Sequence, residues 1–376
     1  MKVKFNIPHI TGNEIEYIQK VISSGHISGN GPFAKKIENF FKINFGFKST
    51  FVTTSCTDAL EMTSILSNIS NKSEVIVPSY TFVSSANAFA LKGAKIIFAD
   101  SEKNTPNIDV TKISELITKK TKAILVMHYG GVACDMDKIM KIANQNNLIV
   151  IEDAAQAINS FYKGIPLGSI GNFGTFSFHQ TKNIVCGEGG LLTVNDISFK
   201  KRAEIIYEKG TNRTQFMRGE IEKYGWVDVG SSFLASEIIS AFLYAQLEKM
   251  ESIQKSRLII WNRYKKNLDE LLKINKNILP KIPNYATNNA HIFYILCENL
   301  SERKKLIKFL NSKGVQASFH YSALHNSEFF KNNYYGEKLT ESIKWSECLL
   351  RLPIYSDLEL EKVDYVCSLI LNFYNV

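Results

Sequence analysis

The sequence predicts an α/β fold: a large, mostly parallel sheet with helices on both faces, followed by a smaller α+β C-terminal domain. Two observations carry this. From residue 51 to about 195, short apolar runs alternate with segments of helical spacing, which is the signature of βαβ units. Farther on, Pro280 and Pro283 break the chain, and an α+β pattern follows. At 376 residues the chain is long enough for about two domains. The division is placed at residue 250, giving domains 1–250 and 251–376.

In chain order, apolar spacing predicts a helix from Ile10 to Ser24, closed by Gly25, and Ser28-Gly-Asn-Gly-Pro32 reads as a loop. Phe33 to Phe45 is a second helix with an aromatic face. Strands are expected at Phe51–Thr54, Glu74–Pro78, Lys95–Asp100, Ala123–His128 and Leu148–Asp153. Helices are expected between them at Thr57–Leu66, Ser84–Leu91, Ile108–Leu116 and Asp135–Asn144. Phe173–Ser177 and Gly190–Val194 are read as a hairpin, Ser198–Glu208 as a helix, and Gly210–Gly230 as a polar loop. One long helix is expected from Ser236 towards Leu268. The C-terminal pattern is strand His291–Cys297, helix Ser301–Ser312, strand Gln316–Phe319.

Composition narrows the function classes. The net charge of +9 raises the question of nucleic acid, but the lysines are scattered and clusters such as Lys119-Lys-Thr-Lys122 are short. Nucleic-acid binding is not expected, while a basic surface can still attract an anionic substrate. The cysteines Cys56, Cys134, Cys186, Cys297, Cys348 and Cys367 form no C-x-x-C pair, so neither a zinc nor a redox motif is visible. Their dispersal favours free thiols in a reducing compartment. The N-terminus lacks a signal-peptide apolar core, and no run approaches about 18 apolar residues. The expected location is the cytoplasm, without membrane contact.

Ligands of open parallel sheets sit beyond the carboxyl ends of the strands. The residues there include Lys182, in Ser177-Phe-His-Gln-Thr-Lys182-Asn, between an apolar strand and the glycines of Gly187-Glu-Gly-Gly190. Asp153 ends Ile149-Val-Ile-Glu-Asp153, and Gln156 follows three residues later. A lysine, a strand-end aspartate and a hydroxyl-rich helix start are what pyridoxal phosphate needs. The lysine carries the cofactor covalently, and the aspartate keeps its ring nitrogen protonated. Asp153 is equally a helix N-cap for Ala154 onward, with Gln156 as its capping-box partner.

Cys56 and Thr57, in Thr53-Thr-Ser-Cys-Thr57-Asp58, lie between strand and helix. Free N–H groups there suit a phosphate as well as a simple cap, and Ser177 can add a hydroxyl. The glycines of a nucleotide-binding loop are missing. Phe82 follows Pro78-Ser-Tyr80-Thr81 and is either core or a platform for a planar ring. His179, His320 and His325 are not at metal-ligand spacing, so no metal is expected. His320 and His325 lie five residues apart beyond a strand end, which lets both face one cleft.

These blocks resemble the DegT/DnrJ-type sugar aminotransferases, over nearly the whole chain. Pro78-Ser-Tyr-Thr-Phe-Val83, Glu152-Asp-Ala-Ala-Gln156, Ser177 to Asn183, Gly187 to Gly190, Gln246-Leu-Glu248, Phe319-His-Tyr321 with His325, and Leu352-Pro353 carry the likeness. The resemblance implies the aspartate aminotransferase (type I) fold, pyridoxal 5′-phosphate on Lys182, and a homodimer with sites at the subunit interface. Within the family, Ala86 to Phe89, His128 to Asp137, Gly210 to Phe216 and Asp228 to Phe233 resemble the dTDP-4-amino-4,6-dideoxygalactose transaminases. Many family members carry asparagine where Ser232 stands, reaching the partner's cofactor phosphate; that group has serine.

The implied reaction moves the amino group of L-glutamate to the 4-keto group of dTDP-4-keto-6-deoxyglucose, for surface-glycan synthesis. Arg213, Lys223, His320, Tyr321 and His325 are the candidates for the nucleotide-sugar pocket, where a diphosphate calls for cationic or hydrogen-bonding groups, and Arg213 or its neighbours are expected to cross towards the partner's site. The alternatives are another nucleotide keto sugar, with UDP or GDP or aminated at another carbon, and a sugar dehydratase. The dehydratases of this family carry histidine at the lysine position, so Lys182 favours transamination.

Overall fold

Along the strand from Thr121 to Met127, Ala123 and Leu125 turn into one apolar cluster while Ile124 and Val126 turn into another. This two-residue alternation between two buried faces is why the strand runs read as continuously apolar. In this computed structural model, which describes residues 1–273, 278–332 and 334–376, seven strands form the central sheet. They are β1 (Thr50–Thr53), β2 (Glu74–Pro78), β3 (Lys95–Ala99), β4 (Thr121–Met127), β5 (Ile149–Asp153), β8 (Phe173–Ser177) and β9 (Gly190–Val194); β6 (Phe161–Tyr162) and β7 (Ile165–Pro166) make a small separate ribbon.

The strand order is β1-β9-β8-β5-β4-β2-β3. β9 runs antiparallel to both neighbours, and the remaining pairs are parallel. Helices α2 (Pro32–Phe45), α5 (Val110–Leu116), α6 (Met136–Gln145) and α9 (Glu237–Glu248) cover one face, through Phe41, Ile113, Ile139 and Leu243. The other face is covered by α3 (Cys56–Leu66), α4 (Val83–Ala90) and α7 (Lys200–Tyr207), through Leu60, Phe89 and Ile206. This is the α/β arrangement expected, and every expected strand of the large sheet is present.

The smaller sheet, β10 (Tyr294–Leu296), β12 (Leu349–Arg351) and β11 (Ser318–Phe319), is antiparallel. α11 (Leu300–Ser312), α12 (Thr340–Cys348) and α13 (Leu360–Tyr374) accompany it. Its core includes Trp261, Phe293 and Leu350, and Val3 from the N-terminus.

Three expectations change. The first helix, α1 (Glu14–Ser24), starts four residues later than expected, because the Glu14 carboxylate turns back to accept the N–H groups of Thr11 and Gly12. The long helix from Ser236 is two helices, α9 and α10 (Met250–Asn267), broken at Lys249. α10 spans both bodies, with Ile253 in the large-sheet core and Trp261 in the small one. Finally, the 210–230 segment is not structureless: it contains α8 (Arg213–Met217), and Thr211 bridges Trp226. Among the described residues no helix is long and apolar enough to cross a membrane.

Candidate active site

β5 delivers Asp153 to the carboxyl edge of the sheet, where its side chain is buried. Oδ1 accepts the Ala155 N–H at 3.1 Å, and Oδ2 accepts the Ser85 hydroxyl at 2.6 Å. Ser85 Oγ also lies 2.8 Å from Thr81 Oγ1. Since the one Ser85 proton goes to the carboxylate, Thr81 is the donor in that second bond. No helix follows Asp153, so the expected N-cap is corrected: the chain makes successive turns. The reason lies far away in sequence. Asn289 Nδ2 donates to the carbonyls of Gln156 and Ile158 at 2.8 and 3.0 Å, occupying acceptors that a helix would need. Nor does Gln156 fold back as a capping partner. Its Oε1 accepts the Gly130 N–H at 2.6 Å, and its Nε2 donates to the Tyr321 hydroxyl at 2.7 Å.

Lys182 stands in the loop joining β8 to β9, which pair as an antiparallel hairpin from Phe173↔Val194 to Ser177↔Gly190. The base of the loop is closed by Phe178 N–H to Gly189 O and Gln180 N–H to Gly187 O, both 2.9 Å. Next to the lysine, Asn183 is buried; its Nδ2 donates to Asn289 O at 2.9 Å and its Oδ1 lies 2.8 Å from His291 Nδ1. The amide acts as acceptor there, so His291 Nδ1 carries the proton. Burial, with the Lys182 and Arg257 cations nearby, holds His291 well below the usual histidine range. Desolvation likewise lowers Lys182 from the ordinary lysine value, against the opposing pull of Cys56 and Asp153. A lysine whose cation is disfavoured is nearer to being a usable base.

Facing this loop is the N-terminus of α3. Ser55 caps it, accepting the Asp58 N–H at 3.0 Å. The first-turn N–H groups of Cys56 and Thr57 have no acceptor within the helix. Thr57 Oγ1 lies 2.9 Å from Ser84 Oγ. Gly190 lets β9 pass directly beneath: a Cβ there would stand 2.4 Å from the Ser55 carbonyl and 2.5 Å from Cys56 N. Burial raises the Cys56 thiol, so it is no nucleophile. Phe82, at the head of α4, is 53% exposed, which removes the core alternative, and its ring centroid is 6.0 Å from that of Tyr321.

The cleft between these elements has a volume of about 780 Å³, and Cys56, Thr57, Phe82, Asp153, Gln156, Ser177, Lys182, His320 and Tyr321 all line it. A helix N-terminus with hydroxyls, a buried carboxylate and a desolvated lysine around one cavity fit pyridoxal phosphate. They match its phosphate, its ring nitrogen and its aldehyde carbon.

Two groups of expected residues depart from this arrangement. His325 does not face the cleft: its ring is buried, with Nδ1 2.6 Å from Ser79 Oγ and Tyr334 packed against it. The 3₁₀ turn Leu324–Asn326 turns it away from His320, whose Nδ1 meets the Tyr129 hydroxyl at 2.8 Å. Arg213 and Ser232 are also absent from the cleft; they line a second cavity of about 820 Å³ with Lys35, Lys200 and Lys209. Lys223 is exposed and outside both. Tyr321 itself is held at φ +52°, a left-handed conformation that costs a non-glycine residue about 1 kcal/mol. Its stack on His320, 3.6 Å between centroids, and its bond to Gln156 hold it there.

Sequence reasoning missed Ser85, Asn289 and His291. Ser85 had a signal, a hydroxyl one helical turn beyond Thr81. The other two had none, since their partners are over a hundred residues away.

Comparison with known proteins gives a consistent result. The sequence profile of the DegT/DnrJ/EryC1/StrS aminotransferase family matches residues 8–371. GDP-perosamine synthase of Escherichia coli O157:H7 is 32% identical over 372 residues, covering 98% of this chain and 97% of that protein. GDP-perosamine synthase of Caulobacter vibrioides is 30% identical over 376 residues, covering 98% and 97%. Among solved structures, Spr1654 of Streptococcus pneumoniae in its PLP form superposes with a TM-score of 0.90 at 25% identity, covering 100% of this chain and 99% of that one.

Proposed function

The chain belongs to the DegT/DnrJ/EryC1/StrS aminotransferase family, and from that premise we propose that it transfers the amino group of L-glutamate to the 4-keto group of a nucleotide-linked 6-deoxyhexose. That it is a PLP-dependent sugar aminotransferase of the type I fold follows from the family and its structural neighbours. The observation that supports the site assignment is the convergence of Lys182, Asp153 and Gln156 on one cleft.

Bound pyridoxal phosphate supplies an electron sink for charge developing at the donor's α-carbon. Lys182 would hold the cofactor, and its amine, once free, would take the proton from that carbon and later return one to the sugar carbon that receives nitrogen. Asp153, fixed by Ser85 and Ala155, keeps negative charge against the ring nitrogen. Gln156 and Tyr321 form one wall, Phe82 offers a ring face, and Cys56, Thr57 and Ser177 take the phosphate. His320 and Tyr321 lie where the sugar enters. Arg213 and Ser232, remote from Lys182 in their own chain, serve the cleft of a second subunit in a homodimer.

GDP is favoured as the carrier, because two relatives matched over nearly their whole length are GDP-perosamine synthases. A second reading keeps dTDP-4-keto-6-deoxyglucose as acceptor, on the likeness of the 86–89, 128–137, 210–216 and 228–233 blocks to the dTDP-sugar transaminases. The test is purified enzyme with glutamate and GDP-, dTDP- and UDP-linked 4-keto-6-deoxyhexoses, with products identified by mass spectrometry and NMR. Amination of the GDP sugar alone supports the first reading, amination of the dTDP sugar the second. Turnover of none of them, with an intact glutamate half-reaction, discards both.

A further inference from the structure

The loop that presents Lys182 also presents a carboxylate that the proposed chemistry leaves unused. Glu188 lines the same cleft as Lys182, His320 and Tyr321. Its side chain is 70% exposed, and His179 Nε2 lies 3.6 Å from its Oε1. Among the described residues lining the cleft, Asp153 and Glu188 are the only carboxylates, and Asp153 already has its hydrogen bonds deep inside.

The backbone around Glu188 is built to project one side chain. Gly187 sits at φ +85°, a left-handed position. A Cβ at Gly189 would stand 2.3 Å from Cys186 Sγ, and one at Gly190 would strike the Ser55 backbone. Conformation or space therefore favours glycine at three of the four positions, and Glu188 is the side chain the turn presents. The bonds Gln180 N–H to Gly187 O and Phe178 N–H to Gly189 O fix this turn beside the lysine loop. His179 Nδ1 accepts the Thr181 N–H at 3.3 Å, so in the neutral ring Nε2 carries the proton and points towards Glu188 Oε1. Oε2 is left for another donor.

Charge decides which donor. Glutamate's carboxylates and the diphosphate of a sugar nucleotide are both repelled by a carboxylate, and glutamate's amino group is the one that goes to the cofactor at Lys182, so none of these is the group it faces. A hexose ring, by contrast, is neutral and carries hydroxyl donors, and an ionised acceptor makes the stronger hydrogen bond to them. We propose that Glu188 is a specificity-determining residue that accepts a hydrogen bond from a ring hydroxyl of the keto sugar. This rests on the reading of the cleft as a nucleotide-sugar aminotransferase site.

The experiment measures the two half-reactions separately for the native holoenzyme, Glu188→Gln and Glu188→Ala, using whichever 4-keto-6-deoxyhexose nucleotide the native enzyme accepts. Both variants fold, because Glu188 is exposed. Loss of a charged acceptor from a substrate hydroxyl raises KM for the sugar nucleotide, or lowers kcat/KM, by about 10- to 100-fold in Glu188→Ala. Glu188→Gln falls between, and the glutamate half-reaction stays within about twofold of native. Unchanged sugar kinetics in Glu188→Ala, or an equal loss in both half-reactions, overturns the assignment. A native enzyme that completes the glutamate half-reaction but accepts no nucleotide keto sugar overturns the underlying reading and this inference with it; the native arm alone reveals that case.

Discussion

Ser85 donates its hydroxyl proton to Oδ2 of Asp153 at 2.6 Å, and both side chains are buried. The carboxylate that faces the cofactor ring in the proposed site is thus held from behind by a serine on α4, which is steadied in turn by Thr81.

Asp153→Asn is expected to fold normally and lose turnover by several orders of magnitude. The amide oxygen can keep the Ala155 N–H, and Ser85 can rotate to accept the new NH₂ while donating to Thr81. The negative charge, however, is gone. Ser85→Ala leaves a buried carboxylate oxygen short of one donor, which costs about 1–3 kcal/mol. Its Tm should fall by several degrees, and cofactor affinity should drop with it. Thermal melts and kcat for the cofactor-loaded variants check both; near-native kcat in Asp153→Asn would leave Asp153 only a structural role.

Lys182→Ala should abolish turnover with glutamate. Borohydride treatment of the native holoenzyme should fix the cofactor to the peptide containing Lys182, and no such adduct should form in the variant. Because the folded state lowers this amine, the unfolded chain binds more protons in the window just below pH 10.5, and stability contributed at this position rises with pH there. The Lys182→Ala variant should lack that rise in a denaturation series just below pH 10.5 run beside native apoprotein.

His291 gives the same sign at the acid end. Its folded value is lowered far below 6.5 by burial, so the unfolded state takes up the proton first. Stability contributed by the neutral ring is complete above about pH 6.5 and is lost as pH falls below it. His291→Asn should show a shallower loss of stability between pH 6.5 and 4.5 than the native protein. Equal slopes would mean that His291 titrates normally in the folded chain.

Mixed dimers test the placement of Arg213 and Ser232. If they serve the partner's cleft, Lys182→Ala subunits and Arg213→Ala subunits complement each other: each heterodimer carries one intact site. Random exchange of equal amounts should restore about a quarter of native activity, from half the dimers with one site in two. Two inactive proteins that stay inactive after subunit exchange would place Arg213 outside the partner's site.

The strands were legible because their apolar runs are buried on two faces, and Lys182 and Asp153 because strand ends point at the ligand edge. What stayed hidden was set at a distance. Asp153 followed by Ala-Ala-Gln reads as a helix start, and only Asn289 turns that stretch into a non-helical bend. His320 and His325 share a loop in sequence, yet Ser79 draws His325 into the core. The break at Lys249 carries no proline or glycine, so nothing local announced it.

Asn289 and His291 bind the Lys182 loop and the bend after Asp153 to the segment leading into β10. During synthesis the large sheet is complete in sequence by Val194, roughly a hundred residues before these clamps leave the ribosome. At about 5–20 residues per second, that interval lasts on the order of 5–20 seconds. Throughout it, the nascent chain holds the Lys182 loop and the bend after Asp153 without the residues that clamp them. A chain truncated before residue 289 should therefore emerge with its strands but without the clamps on the lysine loop and on the bend after Asp153.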